Sequence, residues 1–202
     1  LSPQAADEAR VISGVEVCCE PLDQVRSEAC GLVCMNHVLE HLDDPRAAIL
    51  HAHSLLLPGG LLEIEVPRLD GWGRRLLGRW SWIHLPPQHL HLFTAQGLAR
   101  VLRESGFSSP LHSHTHSYPF TVCTGLVHVV RFTVGSRSPR RSQWWWRIPA
   151  VVLAFVLLPL AFLVDLLGAP ILDRAGRGDI LTVVVERSAG EPDEVVEPGQ
   201  SM

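Results

Sequence analysis

The sequence predicts an α/β protein, a mostly parallel sheet with helices on both faces, and three observations carry that prediction. Short apolar or β-branched runs alternate with stretches of helical spacing. Glycine and proline punctuate the boundaries at Gly14, Pro58-Gly59-Gly60 and Gly106. No segment repeats, so the chain lacks the signature of a solenoid or propeller. Its 202 residues suit one domain with a short appendage.

The elements follow in order. Residues 3–12 read as a helix, with Ser2 as N-cap, Pro3 at the first helical position and Gly14 as the stop. Residues 15–19 form an apolar run that predicts a buried strand, closed by Glu20-Pro21. Residues 31–36 predict a second buried strand. Residues 38–57 space Leu39, Leu42, Ala47, Leu50 and Leu55 as on a helix, broken at Asp43-Asp44-Pro45. Pro58-Gly59-Gly60 predicts a turn into a third strand over 61–66. Thr94 caps a helix that runs to Ser105 and stops at Gly106. Residues 110–118 predict a strand, and the β-branched run 180–185 predicts another.

The net charge of −4 conceals a polarity along the chain. Residues 1–67 carry 3 arginines against 11 acids, residues 68–187 carry 14 against 6, and the last 15 residues add 4 acids and no base. All 17 basic residues are arginine, which excludes a lysine Schiff base or a phosphate-loop lysine. Cys18, Cys19, Cys30, Cys34 and Cys123 show no C-x-x-C pair and predict buried, reduced thiols of a cytosolic protein. The Pro/Gly/Glu-rich residues 188–202 predict a disordered acidic tail.

The densest chemistry is Asn36-His37-Val38-Leu39-Glu40-His41, where a strand gives way to a helix. In open α/β sheets ligands bind outside the carboxyl ends of strands, so the position itself favours a site. On a helix His37, Glu40 and His41 share one face, which makes them weak candidate metal ligands, joined by His89 or His91. H-x-x-E-H is also the signature of inverted zinc peptidases, but there it lies within a long helix rather than after a strand. The bland alternative is that Glu40 and His41 orient the strand-to-helix loop. His112, His114 and His116 alternate and would share one strand face, more simply as strand-edge histidines than as ligands.

Those residues, with Leu55-Leu56-Leu57-Pro58-Gly59-Gly60-Leu61 and Pro87-Gln88-His89-Leu90-His91-Leu92-Phe93-Thr94, resemble class I S-adenosylmethionine-dependent methyltransferases of the small-molecule, ubiquinone-biosynthesis-like branch. Gly178-Asp179-Ile180-Leu181-Thr182-Val183-Val184-Val185 resembles the family's closing antiparallel strand. The resemblance implies a Rossmann-like methyltransferase sheet over residues 1–187, with S-adenosyl-L-methionine as cofactor. It places Glu20 and Pro21 near the adenine, and Asn36 and His37 near the sulfonium. Where the acceptor must lose a proton, it makes His37 the first candidate base, then His89 and His91. The glycine-rich loop after the family's first strand has no counterpart, and the chain opens on Leu1, so an N-terminal truncation is expected. The alternative is a non-catalytic, methyltransferase-like binding protein at a membrane.

Residues 148–164 carry no charge, about 25 Å of helix against a hydrocarbon core of roughly 30 Å. If 61–66 and 180–185 share one sheet, both lie on one side of any membrane, so a single crossing between them is excluded. An apolar helical insertion over 144–172 is expected instead, as a bent pair near Pro159, a re-entrant hairpin or an in-plane helix. Arg137, Arg140, Arg141, Arg147 and Trp144-Trp145-Trp146 would anchor it at the interface. The competing assignment packs it internally or against a second copy. Trp72, Trp80 and Trp82 with Arg68, Arg74, Arg75 and Arg79 could suggest nucleic acid, but the resemblance implies that this insertion covers the acceptor site, with the aromatic residues shaping an apolar pocket. The expected partners are thus a small or lipid-like acceptor, no nucleic acid, and the inner face of a membrane in the cytoplasm.

Overall fold

The computed structural model describes residues 3–14, 16–25, 30–84, 88–118, 120–135 and 147–188. Its strands are β1 (Cys30–Asn36), β2 (Leu56–Pro67), β3 (His112–His116) and β4 (Ile180–Glu186). They form a mixed sheet in the order β1-β2-β4-β3. β1 runs parallel to β2, while β4 is antiparallel to both β2 and β3. Only one of the three described pairings is therefore parallel, fewer than the alternating pattern predicts. The returning strand β4 inserts beside β2 and reverses the direction.

Alternation along β2 explains which face is buried. Leu62, Ile64 and Val66 are each 0% exposed, whereas Glu63 and Glu65 between them are half-buried on the other face. Met35, Leu181, Val183 and Val185 extend the apolar face to β1 and β4. Two helices contribute to it: α2 (Pro45–Leu55) through Ala48, Ile49 and Ala52, and α4 (Ala95–Glu104) through Leu98 and Leu102. Each large side chain so buried contributes about 1.5–3 kcal/mol. Capping sets where both helices start. Asp44 accepts from the Ala47 amide at 3.0 Å ahead of Pro45, and Thr94 Oγ1 accepts from the Gly97 amide at 3.0 Å.

α1 (Pro3–Ser13) ends at Gly14 in a left-handed conformation, φ 67°, as its sequence predicts. The N-cap expected at Ser2 lies outside the described residues. Residues 16–19 do not form the expected strand; Cys18 and Cys19 are exposed. The described sheet ends at β1, so no neighbouring strand satisfies that backbone. The thiols are also less buried than expected: Cys34 is exposed, and Cys30 and Cys123 are intermediate. Cys34 lies on the outer face of β1, opposite to Met35, which explains its exposure. Pro58-Gly59-Gly60 does not separate two elements; β2 runs through it, with the register against β1 shifting between Cys30 and Leu32.

α3 (Trp72–Leu77) follows β2, and α5 (Thr121–Gly135) and α6 (Arg147–Arg174) fill the connection from β3 to β4. Sequence periodicity missed α5, because Thr, Val and Cys dominate its first turn and weaken helix propensity. Asp179, 1% exposed, ties α3 and α5 to the start of β4. It accepts from the Gly73 amide at 2.7 Å and from Thr121 Oγ1 at 3.0 Å. Burial pushes its carboxyl above the ordinary aspartate range, partly offset by those two donors. A Cβ on Gly73 would stand 2.4 Å from Thr121 Cγ2, so only glycine fits there. The Arg137, Arg140, Arg141 and Trp144–Trp146 positions and the acidic tail from 189 onward lie outside the described residues.

Candidate functional site

The site assembles at the carboxyl ends of β1 and β2. Asn36 is paired with Glu65, and the chain leaves β1 at His37, whose amide donates to the Glu65 carbonyl at 2.9 Å. His37 adopts φ 53°, a left-handed conformation that costs a non-glycine residue about 1–3 kcal/mol. Such a residue persists only where its surroundings hold it. Here both ring nitrogens are engaged: Nδ1 lies 3.1 Å from Glu40 Oε1 and Nε2 lies 3.3 Å from Glu65 Oε1. A neutral imidazole carries one N–H, so it donates to one of these carboxylates at a time.

After Val38 the chain makes a single 3-10 turn, Leu39–His41, in place of the expected helix. The long helix that an inverted zinc peptidase requires is therefore absent, and the Leu39 side chain instead plugs the core at 0% exposure. Glu40 is likewise 0% exposed, and its Oε2 has no hydrogen-bond partner among the described residues. Its backbone carbonyl receives the amides of Leu90 and His91 at 2.8 and 3.2 Å. Those two bonds hold the loop around His89 against the 3-10 turn, across 50 residues of sequence.

The histidines of this loop are oriented by backbone carbonyls. His89 Nδ1 lies 2.8 Å from Ile83 O, and His41 Nδ1 lies 2.7 Å from Gln88 O. A carbonyl only accepts, so each Nδ1 carries the hydrogen and each Nε2 keeps its lone pair. The His41 and His89 rings meet edge to face, with centroids 5.0 Å apart. Ligand atoms of Glu40, His41 and His89 lie within 4.8 Å of one another. This trio, rather than His37, Glu40 and His41, has the donor set for a divalent cation. His37 has both nitrogens engaged already, by Glu40 and Glu65.

The other predicted site residues do not join this trio. His91 Nε2 donates to Asp43 O at 3.3 Å and so braces the loop. Asn36 is exposed at the strand end, and Glu20 and Pro21 are exposed just ahead of the turn Leu22–Gln24. The sequence reading missed Glu65 and Thr182. Thr182 Oγ1 donates to Glu65 Oε2 at 3.0 Å, which leaves Oε1 for His37. The signal was available: Glu65 interrupts the apolar run of β2 on the face opposite Ile64 and Val66, one pleat from the strand end. Further along the rim Trp82, 6% exposed, stacks on Tyr118 at 4.0 Å between centroids, beside Ile83 and Ile180. A separate open cavity of about 580 Å³ is lined by Arg68, Asp70, Trp72, Arg75, Leu172 and Arg177 among others. Arg68 and Asp70 pair at 2.8 Å, and the guanidinium holds the Asp70 carboxyl below its ordinary range. His112, His114 and His116 line one face of β3 with ring centroids 5.2 and 6.1 Å apart.

Residues 3–109 match the family described as a methyltransferase domain. No curated protein matches the chain. Among solved structures, a SAM-dependent methyltransferase from Thermotoga maritima aligns at 15% identity and TM-score 0.55, covering 93% of this chain and 70% of that one. An S-adenosylmethionine-dependent methyltransferase from Mesorhizobium loti aligns at 15% identity and TM-score 0.50, covering 93% and 77%. The 4+2 cyclase SpnF aligns at 17% identity and TM-score 0.50, covering 92% of this chain and 62% of its own. The chain thus spans between 62% and 77% of these proteins' lengths, and at such identities the likeness is one of fold.

Proposed function

The chain belongs to the methyltransferase-domain family, and on that premise we propose that it transfers a methyl group from S-adenosylmethionine to a small or lipid-like acceptor. The observation that carries this is the polar cluster at the carboxyl ends of two parallel strands, held there by a left-handed His37. We take residues 1–187 as one methyltransferase-like unit, because β4 lies inside the sheet although the family match ends at 109.

The residues present fit one wall of a cofactor pocket. Asn36 and His37 offer polar groups at the strand end, and Glu20 and Pro21 stand on the segment assigned to the adenine. Bound there, S-adenosylmethionine supplies an activated sulfonium methyl, so positioning is much of what the protein must provide. A base is needed only for an acceptor hydroxyl or amine. Of the three histidines assigned, His89 suits that role, because Ile83 O fixes its Nδ1–H and directs the lone pair to Nε2, which can take a proton. His37 is a positioning residue between Glu40 and Glu65, and His91 braces the loop. Trp82, Tyr118 and Ile83 supply an apolar rim that suits an apolar acceptor. We assign the protein to the cytoplasmic side of a membrane, a compartment that keeps cysteine thiols reduced.

Calorimetry tests the assignment. Titration with S-adenosylmethionine is expected to give saturable binding with a Kd below about 1 mM. No heat at that concentration overturns it. One observation favours a second reading: a cyclase shares this fold, so the same pocket could serve a reaction without methyl transfer. Release of S-adenosylhomocysteine on turnover separates the two.

A further inference from the structure

We propose that α5 and α6 form a hairpin that docks in one leaflet of an anionic bilayer and holds the site's rim against the membrane. The inference deepens the reading of a lipid-like acceptor, although the docking itself requires no chemistry.

The first argument is exposure. α6 is 28 residues long, about 42 Å, and only 11% of residues 155–174 are buried. Val156, Leu158, Leu160, Phe162, Val164 and Leu166 are between 38% and 66% exposed. At 100° per residue these positions spread over about 240° of the helix circumference, leaving the stripe of Ala161 and Asp165 as its buried side. A helix buried in a soluble core exposes no such surface, and a second copy would cover one stripe rather than the whole girth. Lipid covers it all.

The second argument is the fate of the charge. Asp165 is the only charged residue between Arg147 and Asp173, and it faces α5 rather than solvent. Its Oδ1 accepts from the Val122 amide at 2.8 Å and its Oδ2 from the Cys123 amide at 3.0 Å. The carboxylate thereby caps the start of α5, and Phe120 stacks on Phe162 beside it at 5.9 Å. The pair hides the one charge that an apolar environment would penalise.

The third argument is topology. β3 feeds α5 and α6 feeds β4, and these strands are antiparallel neighbours, so both ends of the hairpin lie on one side of any membrane. α5 has 15 residues, about 22 Å, short of the roughly 30 Å hydrocarbon core. A transmembrane pair is thus excluded, and insertion into one leaflet remains. Arg174 in the last turn of α6 and Arg177 just beyond it are exposed at the root of the hairpin, where anionic headgroups would meet them. Because Ile180 pairs with Pro67, the hairpin springs from the same end of the sheet as His37 and Glu65. Docking would bring that end to the lipid surface, with Arg75 and Arg177 of the adjoining cavity at headgroup level.

Flotation of the intact protein tests this with phosphatidylcholine vesicles, alone and with phosphatidylglycerol added. Wild type is expected to float with the mixed vesicles and to lose binding as salt rises. Leu160→Glu with Leu163→Glu should reduce the bound fraction about tenfold or more. Val11→Glu, on α1 and 85% exposed, serves as the control and should float as wild type. Circular dichroism of each variant checks that it folds. Failure of wild type to float, or equal flotation of the double variant, overturns the proposal. So does a stable dimer in solution whose α6 residues cross-link to each other. Flotation needs no S-adenosylmethionine, so its failure is distinguishable from a failure of methyl transfer.

Discussion

Glu40 and Asp165 are both buried carboxylates, at 0% and 6% exposure, and they are buried in opposite ways. Asp165 has each oxygen matched to a backbone amide at the start of α5. Glu40 has one oxygen near His37 and His41, at 3.1 and 3.7 Å, and a second with no partner among the described residues. A buried polar atom left unpaired costs about 1–3 kcal/mol, so a fold retains one only where something else holds it. The difference separates a carboxylate whose two oxygens are both satisfied within the folded chain from one that has an oxygen left over. The surroundings agree: Asp165 sits in a hairpin of apolar side chains, Glu40 among histidines whose free nitrogens are set by backbone carbonyls.

That contrast can be broken by substitution. The largest effect is expected at His89. His89→Ala should lower kcat for a hydroxyl or amine acceptor about 10²–10⁴-fold while the urea midpoint moves little, as measured by methyl transfer and denaturation together. If activity survives, His89 is a structural histidine. Asp165→Ala should do the reverse. Two buried amides lose their acceptor, so stability should fall by about 2–3 kcal/mol in urea unfolding. An unchanged midpoint would remove Asp165 from the structural side of the comparison. Glu40→Gln keeps the volume, and an effect of about 10–100-fold on activity with little change in stability is expected. A loss of stability without a loss of activity would place Glu40 with Asp165.

The smallest effect concerns Asp179, a third buried carboxylate. Burial raises its folded value above the ordinary 3.8, so its contribution to stability is complete at lower pH and is lost as pH rises through the raised value. Asp179→Asn cannot ionise and can still accept from the Gly73 amide. Relative to wild type, it should therefore gain stability between about pH 4 and pH 7, read as the difference in urea midpoints at the two pH values. A constant difference across that range would show that Asp179 titrates as it does in the unfolded chain.

Much of this was legible in the chain. The strands 31–36, 61–66 and 180–185 and the helix from Thr94 follow from alternation and capping, which act over a few residues. His37, Glu40 and His41 stood out because they follow a strand directly. The sequence also marked residues 148–172 as apolar beyond what a sheet needs. Other features have no local signal. The helix α5 depends on Asp165, which lies 43 residues downstream of Val122, because weak helix formers start where a distant carboxylate caps them. The strand expected over 15–19 failed because a strand requires a neighbour, and the described sheet ends at β1.

The sequence by itself determined the class of fold, the place of the polar cluster at a strand end and the existence of a long apolar helix, since each is written in neighbouring residues. Only the tertiary structure decided which side chains meet. It brought His89 rather than His37 into the trio with Glu40 and His41, through two hydrogen bonds to the Glu40 carbonyl. It recruited Glu65 and Thr182 from two strands that are far apart in the chain. And it rooted the hairpin at the site's end of the sheet, because an antiparallel β4 begins where β2 finishes. Contacts between distant segments depend on register and packing, which no local pattern encodes.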